Sequence, residues 1–335
     1  MVENFNEYMK FLVTGGLGFI GSNFIKKVFD TFPECSVVNI DGGFYGSNER
    51  NLEKINGEEN YELIHGNISD FDLMNKAISN SDIIINFAAE SFVDRSIADA
   101  KPFLDSNIIG IYNILEILKK QKKKLIQIST DEVFGSLKNT TANEMFRFNP
   151  SSPYASSKAC AELLINSYNI TYNLDCIITR CTNNYGPQQF PEKLIPKTIL
   201  LAQQNNKIPI YGSGKNIRDW IYVDDHCNAI LKVVEKGKDG QSYNISANNE
   251  IDNLTIVKKI LELMGKTEDL IEFVEDRPGH DFRYSMDSTK IRTELEWNES
   301  VKFEEGLEKT VQWYLDNQNW WKELSSTVLI KEPWK

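Results

Sequence analysis

An α/β fold with a doubly wound parallel sheet is predicted by three features of the chain. Two β-rich runs, Lys10–Thr14 and Ser36–Ile40, flank a glycine turn and a helix-like segment. Apolar runs typical of buried strands then alternate with helix-length segments as far as Arg180. One such run ends in the adjacent carboxylates Asp131-Glu132, where a strand leaves its sheet at the carboxyl edge. Open α/β sheets place their ligands at that edge.

The first unit is read from its glycines. Lys10–Thr14 leads into Gly15-Gly16-Leu17-Gly18-Phe19-Ile20-Gly21 and a helical segment to about Phe32; Ser36–Ile40 follows, closed by Asp41. Gly15, Gly18 and Gly21 permit the tight turn, the approach of a pyrophosphate and close helix packing. Phe19 and Ile20 open the helix, whose N–H groups and dipole favour the phosphates. Asp41 can accept both ribose hydroxyls of an adenosine and would repel a 2′-phosphate. No Arg follows it immediately, so the expected cofactor is NAD rather than NADP.

Tyr61–His65 and Asp82–Phe87 are the next strands, with Ser69–Ser79 as a crossover helix. Phe103–Lys120 reads as a helix with Ile108, Ile111, Leu115 and Leu118 on one face. Strand Lys124–Ser129, helix Ser152–Tyr172 and strand Asp175–Arg180 complete a Rossmann-type run with right-handed crossovers. Beyond Arg180 the rhythm becomes irregular. Leu254–Met264 is the clearest helix there, stopped by Gly265. Phe303–Leu324 carries Trp313, Tyr314, Trp320 and Trp321, which read as packing. Residues 9–180 are therefore expected to form the NAD-binding domain. Residues 181–335 should form mainly a smaller α+β substrate lobe, some of whose strands can return to the sheet. Residues 1–8 read as an extension.

A net charge of −11 and a pI near 5 lack the basic stripe of a nucleic-acid binder. They leave room for an anionic small molecule, because salt screens distant charges. No apolar run approaches the ~20 residues that span a bilayer, and the first residues have neither the basic region nor the apolar core of a signal peptide. The five cysteines (35, 160, 176, 181 and 227) show no CxxC spacing, which suggests a reducing compartment and no metal cage. A soluble cytoplasmic protein without nucleic-acid or membrane partners is expected.

Chemistry concentrates between Lys124 and Lys158. Tyr154 and Lys158 are four residues apart and share a helix face. A nearby ammonium should lower the phenol's pKa, so that Tyr154 can take a hydroxyl proton while NAD takes the hydride. Taken singly, the Tyr–Lys pair could be incidental and Asp131-Glu132 a solvated cap. Their place behind a complete dinucleotide unit favours chemistry.

Several longer runs are more specific. They are Thr130-Asp131-Glu132-Val133, Ala88-Ala89-Glu90-Ser91 with Val93-Asp94-Arg95-Ser96-Ile97, and Tyr154-Ala-Ser-Ser-Lys158. Arg180-Cys-Thr-Asn-Asn-Tyr-Gly-Pro187, Phe190-Pro-Glu-Lys-Leu-Ile-Pro196, Arg218-Asp219-Trp220 and Asp276-Arg-Pro-Gly-His-Asp281 complete the set. On these the chain resembles the extended short-chain dehydrogenase/reductase family, and within it the dTDP-glucose 4,6-dehydratase branch, over nearly all its length from Met9.

The resemblance implies a mechanism and a set of contacts. Tyr154 would remove the C4 hydroxyl proton of a nucleotide-linked hexose, with Thr130 bonded to the C4 oxygen. Glu132 would remove the C5 proton, and Asp131, kept protonated, would donate to the departing C6 hydroxyl. NAD would carry the hydride from C4 to C6. Adjacent carboxylates take opposite roles only if their surroundings push their pKa values apart. Asn67, Ile68, Ala88 and Ala89 would join Tyr154 and Lys158 in holding the cofactor. Ser91, Asn183, Glu192, Lys193, Arg218, Arg277 and His280 would hold the sugar nucleotide; Lys193, Arg218 and Arg277 suit a pyrophosphate, although surface salt bridging is their ordinary use. A homodimer pairing the Tyr154 helix with the Phe103–Lys120 helix is also implied. The chain departs from the branch at Asn86, Phe92, Phe134, Asn67 and Phe282 and over Gly42–Asn48, which keeps only Tyr45 and Asn48, and Phe92 and Phe134 are expected near the pocket.

Two other readings compete. A sugar-nucleotide 4-epimerase or decarboxylase on the same scaffold also oxidises C4 but needs no acid–base pair for C5 and C6, and a UDP-glucose 4,6-dehydratase would differ only in its base. A non-catalytic NAD-sensing regulator need keep neither Tyr154 and Lys158 nor the acid pair.

Overall fold

The computed structural model describes residues 8–335 apart from 323 and 325, so the extension ahead of the first strand lies outside the described residues except for Tyr8. Six strands in chain order, β1 (Lys10–Thr14), β2 (Ser36–Asp41), β3 (Tyr61–His65), β4 (Ile83–Asn86), β5 (Lys124–Thr130) and β6 (Cys176–Cys181), join Ser242–Ile245 in one sheet. The spatial order is β3-β2-β1-β4-β5-β6 followed by Ser242–Ile245, and every pairing is parallel. The order therefore reverses between β1 and β4, which opens a crevice at their carboxyl ends.

Side chains alternate across each strand, and both faces are covered. Phe11 and Val13 pack on the side of α1 (Phe19–Thr31) and the Val223–Lys236 helix. Leu12 packs on the other side, against α2 (Phe71–Ser79), Gly110–Gln121 and Pro153–Tyr172. This double burial is why β1, β4 and β5 read as continuous apolar runs.

Beyond Arg180 the chain does two things. The Val223–Lys236 helix and the Ser242–Ile245 strand extend the sheet and its layer. The remaining elements make a separate core from Tyr185, Ile199, Trp220, Ile260, Val311, Tyr314, Trp320 and Trp321. A three-stranded sheet (Asn183–Tyr185, Ile217–Tyr222, Glu250–Asp252) and a two-stranded one (Ile208–Tyr211, Ile271–Val274) support it.

Two helices differ from expectation. The helix predicted over Phe103–Lys120 begins at Lys101, with Pro102 tolerated in its first turn. It passes through a π-turn at Asp105–Ile109 before continuing as Gly110–Gln121. The π-turn carries Asn107 inward, where its side chain accepts from the Glu90 N–H (2.9 Å) and donates to the Glu90 carbonyl (3.0 Å) and Ser157 Oγ (2.8 Å). The helix predicted over Phe303–Leu324 breaks at Asn317 into Phe303–Asp316 and Gln318–Lys322. The break lets Trp320 and Trp321 both turn into the core; Trp320 Nε1 donates to Asn51 Oδ1 at 2.9 Å.

Candidate active site

At the β1–β4 switch the turn after Thr14 is built from glycine because nothing else fits. Gly15 has φ +72°, and a Cβ there would lie 2.7 Å from the Ala88 nitrogen. A Cβ on Gly21 would collide with the Gly15 carbonyl oxygen. Gly18 caps α1 without a side-chain bond, and no acid stands in the first turn. The leading N–H groups, at Phe19 and Ile20, are thus left for a ligand, at the positive end of the helix dipole.

Asp41 closes β2. Its Oδ2 accepts from the Leu17 N–H and its Oδ1 from the Gly43 N–H, each at 2.9 Å. Burial pushes its pKa up and these two bonds pull it down. Gly15, Gly18, Phe19, Ile20, Gly21 and Asp41 line one cavity of about 290 Å³ together with Asn67, Ile68, Ala88, Ala89, Ser91, Tyr154 and Lys158. An open helix N-terminus, a glycine cradle and a carboxylate at the end of the adjacent strand fit a dinucleotide.

The same cavity reaches the acid pair. Thr130 ends β5 and caps a 3₁₀ turn at Asp131–Phe134; its Oγ1 accepts from the Glu132 N–H at 3.3 Å and donates to Asp131 Oδ1 at 3.1 Å. Asp131 is 3% exposed and its Oδ2 has no hydrogen-bond partner. Burial first, then the Glu132 charge, hold the Asp131 carboxyl well above the ordinary range. Glu132 is raised as well, chiefly by burial, but Arg277, Lys193 and Arg218 all favour its ionised form. Side by side, one carboxyl is thus pushed strongly toward its neutral form, while three cations restrain the same push on its neighbour.

Tyr154 corrects an expectation. Its pKa is raised well above the ordinary phenol value, by burial and then by the Glu132 charge, and is not lowered by Lys158. The physical reason is that Lys158 Nζ donates to the Ile128 carbonyl at 2.7 Å and is itself pushed down to about 8 by burial. Phe134 corrects another. It is 1% exposed between Phe146 and Phe148, with the Arg180 guanidinium 5.1 Å from its ring, and lines neither cavity. Phe92, by contrast, lines both.

A second cavity, of about 170 Å³, meets the first at Phe92, Glu132, Asn183 and Lys193. Lys193 Nζ donates to the Ser91 carbonyl at 2.9 Å and lies 4.6 Å over the Phe92 ring. Among the described residues Arg218 donates only to main-chain carbonyls, of Ile217, Asp281 and Phe282, and it stacks 4.3 Å from Tyr284. Arg277 pairs with Asp94. His280 Nδ1 bonds Asp276 Oδ1 at 2.6 Å; burial, then Arg277 and Arg218, push its pKa to about 4, so the ring is neutral. Glu192 faces the cavity but is already occupied by Arg95 (2.7 Å) and the Tyr45 hydroxyl. All seven residues expected to hold the sugar nucleotide line one or both cavities. The sequence reading missed Tyr45, Glu90 and Phe190 in the first cavity and Lys197, Tyr211 and Tyr284 in the second. Lys197 had a signal, standing one helical turn after Lys193; Tyr211 and Tyr284 had none.

Comparison with known proteins decides the family. The family model described as GDP-mannose 4,6 dehydratase matches residues 12–310. A dTDP-glucose 4,6-dehydratase of Streptomyces niveus is 43% identical over 323 residues, covering 95% of this chain and 96% of that protein. The chain belongs to the dTDP-glucose 4,6-dehydratase family. Two crystal structures of such dehydratases share its fold. That from Bacillus anthracis, in complex with NAD, is 44% identical with a TM-score of 0.89, covering 95% of this chain and all of that one. That from Streptomyces venezuelae, also with NAD, is 39% identical with a TM-score of 0.92 and the same coverage. In this dehydratase the expected α/β architecture is present, and the acid pair lies where both cavities meet.

Proposed function

We propose that this dehydratase converts dTDP-glucose to dTDP-4-keto-6-deoxyglucose and water, using NAD. The observation that carries the reading is the Asp131–Glu132 pair, with one carboxyl pushed strongly toward its neutral form and the other acted on by three cations. A 4-epimerase or decarboxylase has no use for that division.

NAD, when bound in the first cavity, supplies a hydride acceptor for C4 and a donor for C6. Asp41, the glycine turn, Asn67, Ile68, Ala88 and Ala89 are the residues proposed to hold it. Tyr154 takes the C4 hydroxyl proton. Its raised pKa makes the phenolate, once formed, a strong base. Thr130 orients the C4 oxygen. Once C4 is a ketone the C5 proton is acidic. Glu132 removes it, and the unpartnered Asp131 Oδ2 is the proton donor for the C6 hydroxyl that leaves as water. Lys193, Arg218 and Arg277 offset the diphosphate, with Asn183 and Ser91 at the sugar. Glu192 and His280 shape this wall through Arg95 and Asp276.

In this reading residues 9–180 are the NAD-binding domain and 181–335 mainly the substrate lobe, with Ser242–Ile245 returned to the sheet. A homodimer is supported by the apolar side chains exposed on the paired helices, Tyr112 on one and Leu163 and Ile170 on the other, the last 87% exposed. A cytoplasmic location is supported by five free thiols, four of them buried, and by the absence of a membrane-crossing helix among the described residues.

Incubation with NAD and dTDP-glucose should yield a product lighter by one water, with no net cofactor reduction. An unchanged mass with galactose in the product would overturn the reading in favour of the epimerase. Activity confined to UDP-glucose would keep the chemistry and change the base.

A further inference from the structure

The second cavity holds a lysine that the reading above does not use. Lys197 lies on the Leu194–Gln203 helix, one turn after Lys193, and is 7% exposed. Its Nζ donates to the Ile330 carbonyl at 2.6 Å, and it makes no ion pair among the described residues. Taking an ammonium out of water without a paired anion is costly, by several kcal/mol before compensation. One carbonyl dipole offsets only part of that.

Charge along the cavity shows what the rest answers to. Lys193, Lys197, Arg218 and Arg277 face three carboxylates, Asp94, Glu132 and Glu192. Outside the lining, Arg95 pairs with Glu192 and Asp276 with His280, so these two charges cancel. His280 is neutral. The group therefore carries one formal positive charge in excess, and none without Lys197. A sugar nucleotide's diphosphate carries two negative charges. Position agrees with charge. Arg277, Lys193 and Arg218 act on the Glu132 carboxylate, whereas the charges acting on Lys197 are those of Glu192 and Asp94. Lys197 is thus set along the cavity from the hexose end, in a lining that it shares with Leu194, Pro209, Ile210 and Tyr211.

We propose that Lys197 is a fourth cationic contact for the substrate's diphosphate, held ready by the Ile330 carbonyl. The inference rests on the dTDP-glucose reading for its substrate. A charge-assisted bond of this kind contributes about 10- to 100-fold in affinity. Because it acts at the nucleotide and not at the reacting carbons, its loss should raise KM far more than it lowers kcat.

The test compares Lys197→Met, nearly matched in length, with Lys197→Arg, which keeps the charge. Inhibition constants for dTDP and for thymidine are measured against dTDP-glucose, and dTDP binding is measured by calorimetry. For Lys197→Met the dTDP constant should rise about 10- to 100-fold, the thymidine constant should stay within about twofold, and Lys197→Arg should keep most of the affinity. Equal losses for dTDP and thymidine would overturn the proposal by placing the lysine at the nucleoside. Unchanged dTDP binding in Lys197→Met would overturn it outright. If the wild-type protein fails to turn over dTDP-glucose, the functional reading fails on its own, and the calorimetric comparison still decides Lys197.

Discussion

The two cavities that meet at Glu132 are made in different ways. The first is made of main chain: a left-handed glycine, an uncapped helix N-terminus and a carboxylate that holds two N–H groups. The second is made of side-chain charge gathered from Asp94, Lys193, Lys197, Arg218 and Arg277, on four separate stretches of the chain. A main-chain site is sensitive to added volume and indifferent to distant charge. A side-chain site tolerates changes of volume and responds to every charge removed. The acid pair at the junction draws on both, since burial by the first raises Asp131 and the cations of the second restrain Glu132.

That contrast can be broken most sharply at the junction. Glu132→Gln should lower kcat by about 10³-fold, by removing the C5 base. It should also abolish deuterium uptake from solvent at C5, read by mass spectrometry, while dTDP and NAD still bind. Wash-in at the wild-type rate would move the base elsewhere. Gly15→Ala comes next. The strained φ and the approach to Ala88 should cost about 2–3 kcal/mol of stability and weaken NAD about 100-fold. Binding of dTDP should stay within about threefold, so an equal loss in both titrations would show that the cavities are not separable.

Asp131→Asn separates activity from stability. A carboxyl whose folded pKa is raised contributes stability below its unfolded pKa that is lost as pH rises through the folded value. Near neutrality Asp131 is therefore a burden on the fold, and the Asn variant should be more stable by about 1 kcal/mol, seen as a Tm higher by about 1–2 °C. Its kcat should fall about 100-fold. In the wild type kcat should fall on the acid side as Glu132 takes a proton and on the alkaline side as Asp131 loses one, with apparent values belonging to the pair. The alkaline limb should vanish in the Asn variant; a lower Tm would show the carboxylate to be ionised and satisfied. The smallest effect is expected outside both cavities. Ile170→Glu should dissociate the proposed dimer in light scattering and change NAD and dTDP binding by less than about twofold.

The same contrast governs what could be read in advance. The glycine turn, Asp41 and the strands flanking them are legible because each need is met within a few consecutive residues. The Thr130–Glu132 run and the Tyr154–Lys158 spacing are legible for the same reason. Side-chain direction was not. Phe134 follows the acid pair in sequence, yet the 3₁₀ turn points it into a cluster with Phe146 and Phe148. The Tyr154 pKa could not be inferred from an i,i+4 lysine, because the Ile128 carbonyl takes the ammonium and burial by distant segments sets the phenol. Glu192 was legible as part of the site, but its partners Tyr45 and Arg95 lie some hundred or more positions away. Tyr211 and Tyr284 reach the second cavity only through tertiary packing.

The π-turn at Asp105–Ile109 sets the phase of everything after it. Each residue of an α-helix advances the side-chain direction by about 100°. The extra residue in the π-turn lets one continuous helix aim Asn107 at Glu90 and Ser157, and still bring Ile111, Leu115 and Leu118 flush with the sheet. Deleting any single residue between 105 and 109 would make the helix regular. It would also rotate the downstream face by about a quarter turn, lifting those three side chains off β4 and β5 and swinging Tyr112 inward. The turn works as a gear between a strand-end loop that must be held still and an outer helix surface that carries the exposed Tyr112.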